Sequence, residues 1–143
     1  MIINIKNKEF LYQIYKLIGN IKNCPKANII EMMGKGLNND NEIILAYIND
    51  DKEDKIVRGF LYATVDNMDG ERTAFIQAAY MSPKYNKYSQ NVFDKLIEWS
   101  KQRNINRMDI ITTRFPDSFR RKYGFEYTGT LMKRYISKED NNG

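Results

Sequence analysis

The sequence predicts an α/β domain, an α+β mixed sheet flanked by helices on both faces. Three observations point there. Near the amino terminus Phe10, Leu11, Ile14, Leu17, Ile18 and Ile21 recur at helical spacing. The middle of the chain then changes period, with strand formers over Glu42–Asn49 (EIILAYIN) and Lys55–Val65 (KIVRGFLYATV) flanking the charged run DDKED. Finally, a strand over Arg72–Met81 (RTAFIQAAYM), an amphipathic helix and another short apolar strand follow in order. Strand-helix-strand order is the arrangement that allows parallel pairing.

Each element has its own signal. Ile2, Ile3 and Ile5 make a short apolar start suited to an edge strand. The first helix is expected over Lys8–Asn23, with Pro25 beyond its end. Ala27, Ile30 and Met33 mark a shorter second helix closed by Gly34 and Gly36. Glu42–Asn49 and Lys55–Val65 pair as a hairpin, and Asp66–Gly70 (DNMDG) is the next turn. The third strand stops at Ser82-Pro83, since Pro cannot continue a central ladder. A polar loop, Lys84–Tyr88, leads to a helix from Ser89 to Arg103 with Ser89 as N-cap and Val92, Phe93, Leu96, Ile97 and Ser100 on one face. Met108–Thr113 is a buried-type strand. Pro116 then opens a short helix over Asp117–Lys122, with Gly124 as its C′ residue. Glu126–Ile136 is a closing hairpin or bent strand. Residues 1–136 form one domain, and 137–143 a frayed polar tail.

Bulk properties prune the functions open to such a domain. The 143 residues suffice for one core, and no apolar run approaches the roughly 20 residues that cross a bilayer. The first ten residues lack a signal-peptide core, and the lone Cys24 forms no intrachain disulfide, so a reducing cytoplasm is expected. There is no histidine, which removes Ser-His and Cys-His pairs, imidazole bases and the commonest metal ligand. Proton chemistry therefore falls to Tyr, Asp, Glu, Lys, the substrate or water. The net charge of +5 favours anionic partners.

Two stretches carry the functional reading. In SPKYNKYSQNVFDKLIEWSKQRNI, a strand ending in Pro gives way to a loop and a helix N-terminus, which offers free backbone N–H groups to an anion. In Phe119-Arg120-Arg121-Lys122-Tyr123-Gly124-Phe125, one Phe packs, Gly turns the chain and the second Phe opens the last strand. Their order and spacing resemble the cofactor-binding half of the GNAT superfamily of acyl-CoA N-acyltransferases. The likeness extends over about Glu42–Arg134 and includes Ile56-Val57-Arg58-Gly59-Phe60 and GFEYTGTLMKR.

The resemblance implies acetyl-CoA as co-substrate and an amine as acceptor, attacked directly in a ternary complex. The family's phosphate loop reads Gln/Arg-x-x-Gly-x-Gly/Ala. Anchored on Val92-Phe93, it puts Lys84 in the leading basic position and Lys87 and Ser89 in place of the two glycines. Anchored on Pro83, it puts Asn86 in place of the Arg and leaves the loop short. The implied cofactor-binding residues are Met81 (through its backbone), Lys87, Tyr88, Ser89, Gln90 and Arg120. Arg120 stands where the family carries its acid Tyr, so Tyr123, one helical turn later, is the candidate acid. Where many relatives carry a Glu base, this chain has Ala78 beside Gln77, with Tyr80 as the nearest ionisable group. A backbone N–H near Met81 would polarise the thioester carbonyl.

Two rivals remain beside the transferase. One is a binding or regulatory protein that keeps the fold without the glycines, the Tyr and the Glu. The other is a nucleic-acid binder, because Lys84, Tyr85, Lys87, Tyr88 and Arg120–Tyr123 interleave charge with aromatic rings. An exposed strand edge could also pair two copies as a homodimer.

Overall fold

The computed structural model describes residues 1–21, 26–37, 39–49, 55–111, 126–128, 131–137 and 140. Seven strands form one mixed sheet: β1 (Ile2–Asn4), β2 (Glu42–Asn49), β3 (Ile56–Met68), β4 (Glu71–Met81), β5 (Arg107–Ile111), β6 (Glu126–Thr128) and β7 (Leu131–Tyr135). Their spatial order is β1-β2-β3-β4-β5-β7-β6. Among the described residues only β4 and β5 pair in parallel, joined by a crossover through helix α3 (Ser89–Gln102). Helices α1 (Leu11–Ile18) and α2 (Lys26–Gly36) precede β2.

Side-chain alternation gives the sheet two apolar faces. Ile43, Leu45, Leu61, Ala63, Ala74 and Ile76 face α3 and pack on Val92, Phe93, Leu96 and Ile97. Ile44, Ala46, Ile48, Phe60, Tyr62 and Ala78 face α1 and α2 and pack on Leu11, Ile14, Ile18, Ile29 and Met33. The expected helices on both faces are thus present.

Local chemistry explains where the element bounds differ from expectation. Helix α1 stops at Ile18 because Gly19, Asn20 and Ile21 turn their N–H groups to the carbonyls three residues back, which tightens and ends the helix. Helix α2 continues through Gly34 to Gly36. Strand β3 runs on to Met68, and the turn contracts to Asp69-Gly70, both at positive φ (54° and 79°). A two-residue Asp-Gly turn of this kind matches the twist of its flanking strands. The polar loop is instead a 3-10 helix over Pro83–Tyr88, with Pro83 in its first turn, where no N–H is needed. It runs directly into α3. Ser89 is consequently the first helical residue and not the N-cap; Tyr88 holds that position without a side-chain capping bond. The closing segment is a β6–β7 hairpin, with Glu126 opposite Lys133. The tail is held where it is described: Asp140 accepts from the Ser137 N–H at 2.8 Å and pairs with Arg134, while Lys101 donates to its carbonyl. The helix expected over Asp117–Lys122, Gly124 and the Thr113 end of β5 fall outside the described residues.

Two irregularities in register position the site. Tyr62 pairs with Ala78 and Ala63 with Ile76, so Gln77 is an extra residue in β4. Tyr47 pairs with Gly59 and Ile48 with Val57, so Arg58 is an extra residue in β3. Such bulges bend a strand and re-aim a side chain.

Candidate active site

Among the described residues, strands β4 and β5 pair from Thr73–Arg107 to Ile76–Ile110. The next residue of β4 is the bulged Gln77, which bends the strand before it runs on to Met81. The chain that follows Ile111 lies outside the described residues. At the lower end Arg107 anchors β5. Its guanidinium forks onto Asp109 (Nε–Oδ1 2.7 Å, Nη2–Oδ2 2.9 Å) and reaches the β3–β4 turn through Asp69 Oδ2 (3.1 Å) and the Met68 carbonyl (3.3 Å).

Hydrogen-bond parity fixes which amides face the gap. The Ser82 N–H donates to the Arg58 carbonyl at 2.8 Å, so Ser82 points toward β3. Backbone groups alternate sides along a strand, so Tyr80 also points toward β3, while Ala79 and Met81 point away from it. Among the described residues no acceptor meets the Ala79 or Met81 N–H. Both donors therefore border an apolar cleft of about 230 Å³ lined by Leu61, Ile76, Val92, Phe93 and Ile110, with Asn86 and Ser89 at its polar end.

Glycine at position 59 is what lets the cleft edge close up. A Cβ there would lie 2.4 Å from Met81 Sδ and 2.8 Å from the Tyr80 carbonyl. At the mouth, the 3-10 turn is held by rings: Tyr47 stacks on Tyr88 at 4.4 Å, and Tyr85 lies 6.0 Å from Tyr47 while its hydroxyl accepts from Asn49 Nδ2 at 2.9 Å. Arg58 covers Tyr85, and Lys87 covers Tyr88, each 5.2 Å from the ring centre. Residues 82–93 carry Lys84 and Lys87 and no acid.

Of the residues singled out in the sequence, Met81 and Ser89 line the same cleft. Lys87 is exposed on the turn, and the Tyr88 ring is committed to Tyr47. The Ser89 N–H is taken by the Asn86 carbonyl, and Gln90 Nε2 donates to Asp94 Oδ1 at 2.9 Å. Arg120 and Tyr123 lie outside the described residues. Ala78 is buried on the α1/α2 face, and Gln77 Nε2 donates to Thr64 Oγ1 at 2.9 Å. Tyr80 lines the cleft.

Sequence reasoning missed the Ala79 amide and a polar pair on the α1/α2 face. Tyr62 is 0% exposed and donates to Glu42 Oε1 at 2.6 Å. Burial, then the bond to Glu42, hold the Tyr62 phenol well above its ordinary range, so it keeps its proton. The second Glu42 oxygen, Oε2, has no hydrogen-bond partner among the described residues and packs where a Cβ on Gly36 would stand. The signal for Ala79 was its two-residue step from Met81, which puts both amides on one side of the strand. Nothing local announces Glu42–Tyr62, which are 20 residues apart.

The described lining of the cleft contains no carboxylate and no metal-binding cluster, and no such cluster occurs elsewhere among the described residues. Chemically the site offers a long apolar slot, two inward N–H donors and a cationic rim. That combination fits a flexible arm that bears amides along its length and phosphates at its end. Among the described residues no helix is long and apolar enough to cross a membrane.

No family model and no curated protein matches the sequence. Solved structures do match its fold. A probable acetyltransferase from Staphylococcus epidermidis superposes with a TM-score of 0.75 at 14% identity, covering 96% of this chain and 99% of that one. An aminoglycoside 6′-N-acetyltransferase from Acinetobacter baumannii gives a TM-score of 0.72 at 14% identity over 100% and 99% of the two chains. A third, an aminoglycoside acetyltransferase solved in complex with a bisubstrate analogue built on CoA, gives 0.70 at 16% identity over 90% and 92%. The parallel β4–β5 pair, the helix that joins its strands and these superpositions agree: the chain has an acyl-CoA N-acyltransferase-like fold.

Proposed function

We propose that the protein is an acyl-CoA-dependent N-acetyltransferase that moves an acetyl group directly onto an amine. The observation that carries this reading is the pair of N–H groups, Ala79 and Met81, that point away from β3 into an apolar cleft and meet no acceptor among the described residues. In this reading acetyl-CoA enters as co-substrate, its arm along the cleft and its phosphates toward Lys87, Tyr88, Ser89, Gln90 and Arg120. The Met81 N–H donates to the thioester carbonyl oxygen as negative charge develops there. The amine nitrogen bonds to the carbonyl carbon, the carbon–sulfur bond breaks, Tyr123 supplies the proton to the departing sulfur, and the proton shed by the new amide nitrogen passes to water, from which the Tyr123 phenol is restored.

No protein base is required of the described lining. With Ala78 in place of a carboxylate, Gln77 engaged by Thr64 and Tyr62 holding its proton, the amine reacts in its neutral form. The pH dependence should therefore belong to the acceptor. We expect kcat/KM to rise with pH up to the acceptor amine's own pKa, and the curve to move when an amine of different pKa is used. A rise at one fixed pH for every amine would reveal a protein base.

Calorimetry with acetyl-CoA and with dephosphorylated CoA tests the proposal. Micromolar acetyl-CoA binding that weakens about tenfold in Lys87→Ala supports it, in keeping with one lost charge-assisted phosphate contact. Absence of binding at millimolar acetyl-CoA contradicts it and favours the non-catalytic reading. The nucleic-acid reading receives less support, since Tyr85 and Tyr88 spend their rings on Tyr47 and on each other.

A further inference from the structure

A second groove, of about 700 Å³, lies on the opposite face of the sheet from α3. It runs between α1, through Glu9, Gln13 and Lys16, and the start of β3, through Lys55 and Arg58, and ends at Ser82. The side chain of Gln13 ties its two walls together, donating to the Lys55 carbonyl (3.2 Å) and accepting from the Val57 N–H (2.9 Å). Ser82 follows Met81 directly, so the groove opens at the mouth of the cleft.

Among the described residues the charge in this groove is one-sided. Three cations, Lys16, Lys55 and Arg58, line it against one carboxylate, Glu9, and none of the four makes an ion pair among the described residues. Arg58 is the residue that the β3 bulge re-aims. Its guanidinium rests on the Tyr85 ring, yet its Nε is buried without a hydrogen-bond partner among the described residues. An oriented, partly exposed guanidinium with no ion-pair partner among the described residues suits a carboxylate or phosphate oxygen at its outer nitrogens. The acidic run 50–54 lies outside the described residues.

We infer that this groove binds the acceptor, and that the acceptor is an amine bearing an anionic group, either a carboxylate or a phosphate. The inference rests on the transferase reading and names its substrate class. Arg58 and Lys16 hold the anion, which leaves the amine to reach past Ser82 toward the Met81 amide. A polycation such as an aminoglycoside, the substrate named for two of the structural relatives, meets repulsion in the same groove.

Matched acceptor pairs test this. Acetyl transfer to β-alanine is compared with propylamine, and to O-phosphoethanolamine with ethanolamine, with kanamycin as the polycation. We expect the anionic member of at least one pair to be preferred in kcat/KM by about tenfold or more, and which pair shows it tells carboxylate from phosphate. Arg58→Gln, and separately the exposed Lys16→Gln, should raise KM for that acceptor several-fold, and Lys16→Gln, which touches no ring of the cleft mouth, should hold kcat and acetyl-CoA affinity within about twofold. Equal use of both members of each pair, or preference for kanamycin, overturns the inference. If no acceptor is turned over, amide shifts on titration with O-phosphoethanolamine and β-alanine still decide it. Shifts at Lys55–Arg58 and Ser82 that vanish in Arg58→Gln and Lys16→Gln uphold the anion site while the transferase reading falls. No shift at either probe overturns the site as well.

Discussion

Arg107 is 2% exposed and Asp109 0% exposed, and their two-pronged bond lies where β5 begins to pair with β4. Removing one member of such a pair leaves the other charged, buried and unpaired. Arg107→Ala is therefore expected to destabilise the fold by about 3–5 kcal/mol, while Arg107→Met combined with Asp109→Leu costs much less. Chemical denaturation of the three proteins checks this, and equal losses in the single and double variants would contradict it. Arg58 has the opposite circumstances: it is partly exposed, rests on Tyr85 and makes no ion pair among the described residues. Gly59 beside it is a packing requirement. Gly59→Ala forces Met81 and the Tyr80 carbonyl to shift, so acetyl-CoA affinity should fall while the melting temperature changes by only a few degrees. Asp140 belongs to a different part of the surface. Burial pushes its carboxyl up, but bonds from the Ser137 N–H and Arg134 outweigh this and hold it below its ordinary value of 3.8. The sign follows: its contribution is full above that ordinary value and is lost as pH falls through the lower value in the folded state. The protection factor of the Ser137 amide, its exchange relative to the intrinsic rate at each pH, should fall over that acid range in the native protein and hold steady in Asp140→Asn.

At the scale of elements, the 3-10 turn and the tyrosine stack stand where a polar loop over Lys84–Tyr88 was expected. Pro83 starts the turn, and Tyr47 pins its far end through Tyr88. Tyr47→Ala should loosen the turn, which raises amide exchange across Lys84–Tyr88 and weakens acetyl-CoA binding, while the β2–β3 hairpin keeps its protection. Preserved affinity with a loosened turn would separate the stack from binding. Element order was legible in the sequence because each signal is local: the 3.6-residue spacing of Leu11, Ile14 and Ile18, the strand formers of Glu42–Asn49, and Asp69-Gly70 as a turn. What was not legible depends on pairing between distant segments. Neither bulge can be read from one strand, since Gln77 and Arg58 are extra only relative to β3 and β2. The Tyr47 ring also meets Tyr85 and Tyr88 only because the hairpin brings them together. Ser89 looked like a cap because the preceding loop read as coil, and the 3-10 helix there moved the start of helical backbone back to Pro83.

In the whole molecule the lower part of the sheet is locked by Arg107 and the Asp69-Gly70 turn, which tie β3, β4 and β5 together. Above the Gln77 bulge, the Ala79 and Met81 amides of β4 face the cleft and meet no acceptor among the described residues. The acid-free loop lies at one mouth and the cationic α1 groove at the other side of Ser82. The central claim is that Ala79 and Met81 receive the acyl-CoA arm. An ¹⁵N-resolved titration with acetyl-CoA tests it most directly. The account predicts saturable shifts of the Ala79 and Met81 amides, accompanied by Ser89 and absent at Tyr80, whose N–H is spent on β3. Saturating acetyl-CoA that leaves Ala79 and Met81 unmoved would contradict it.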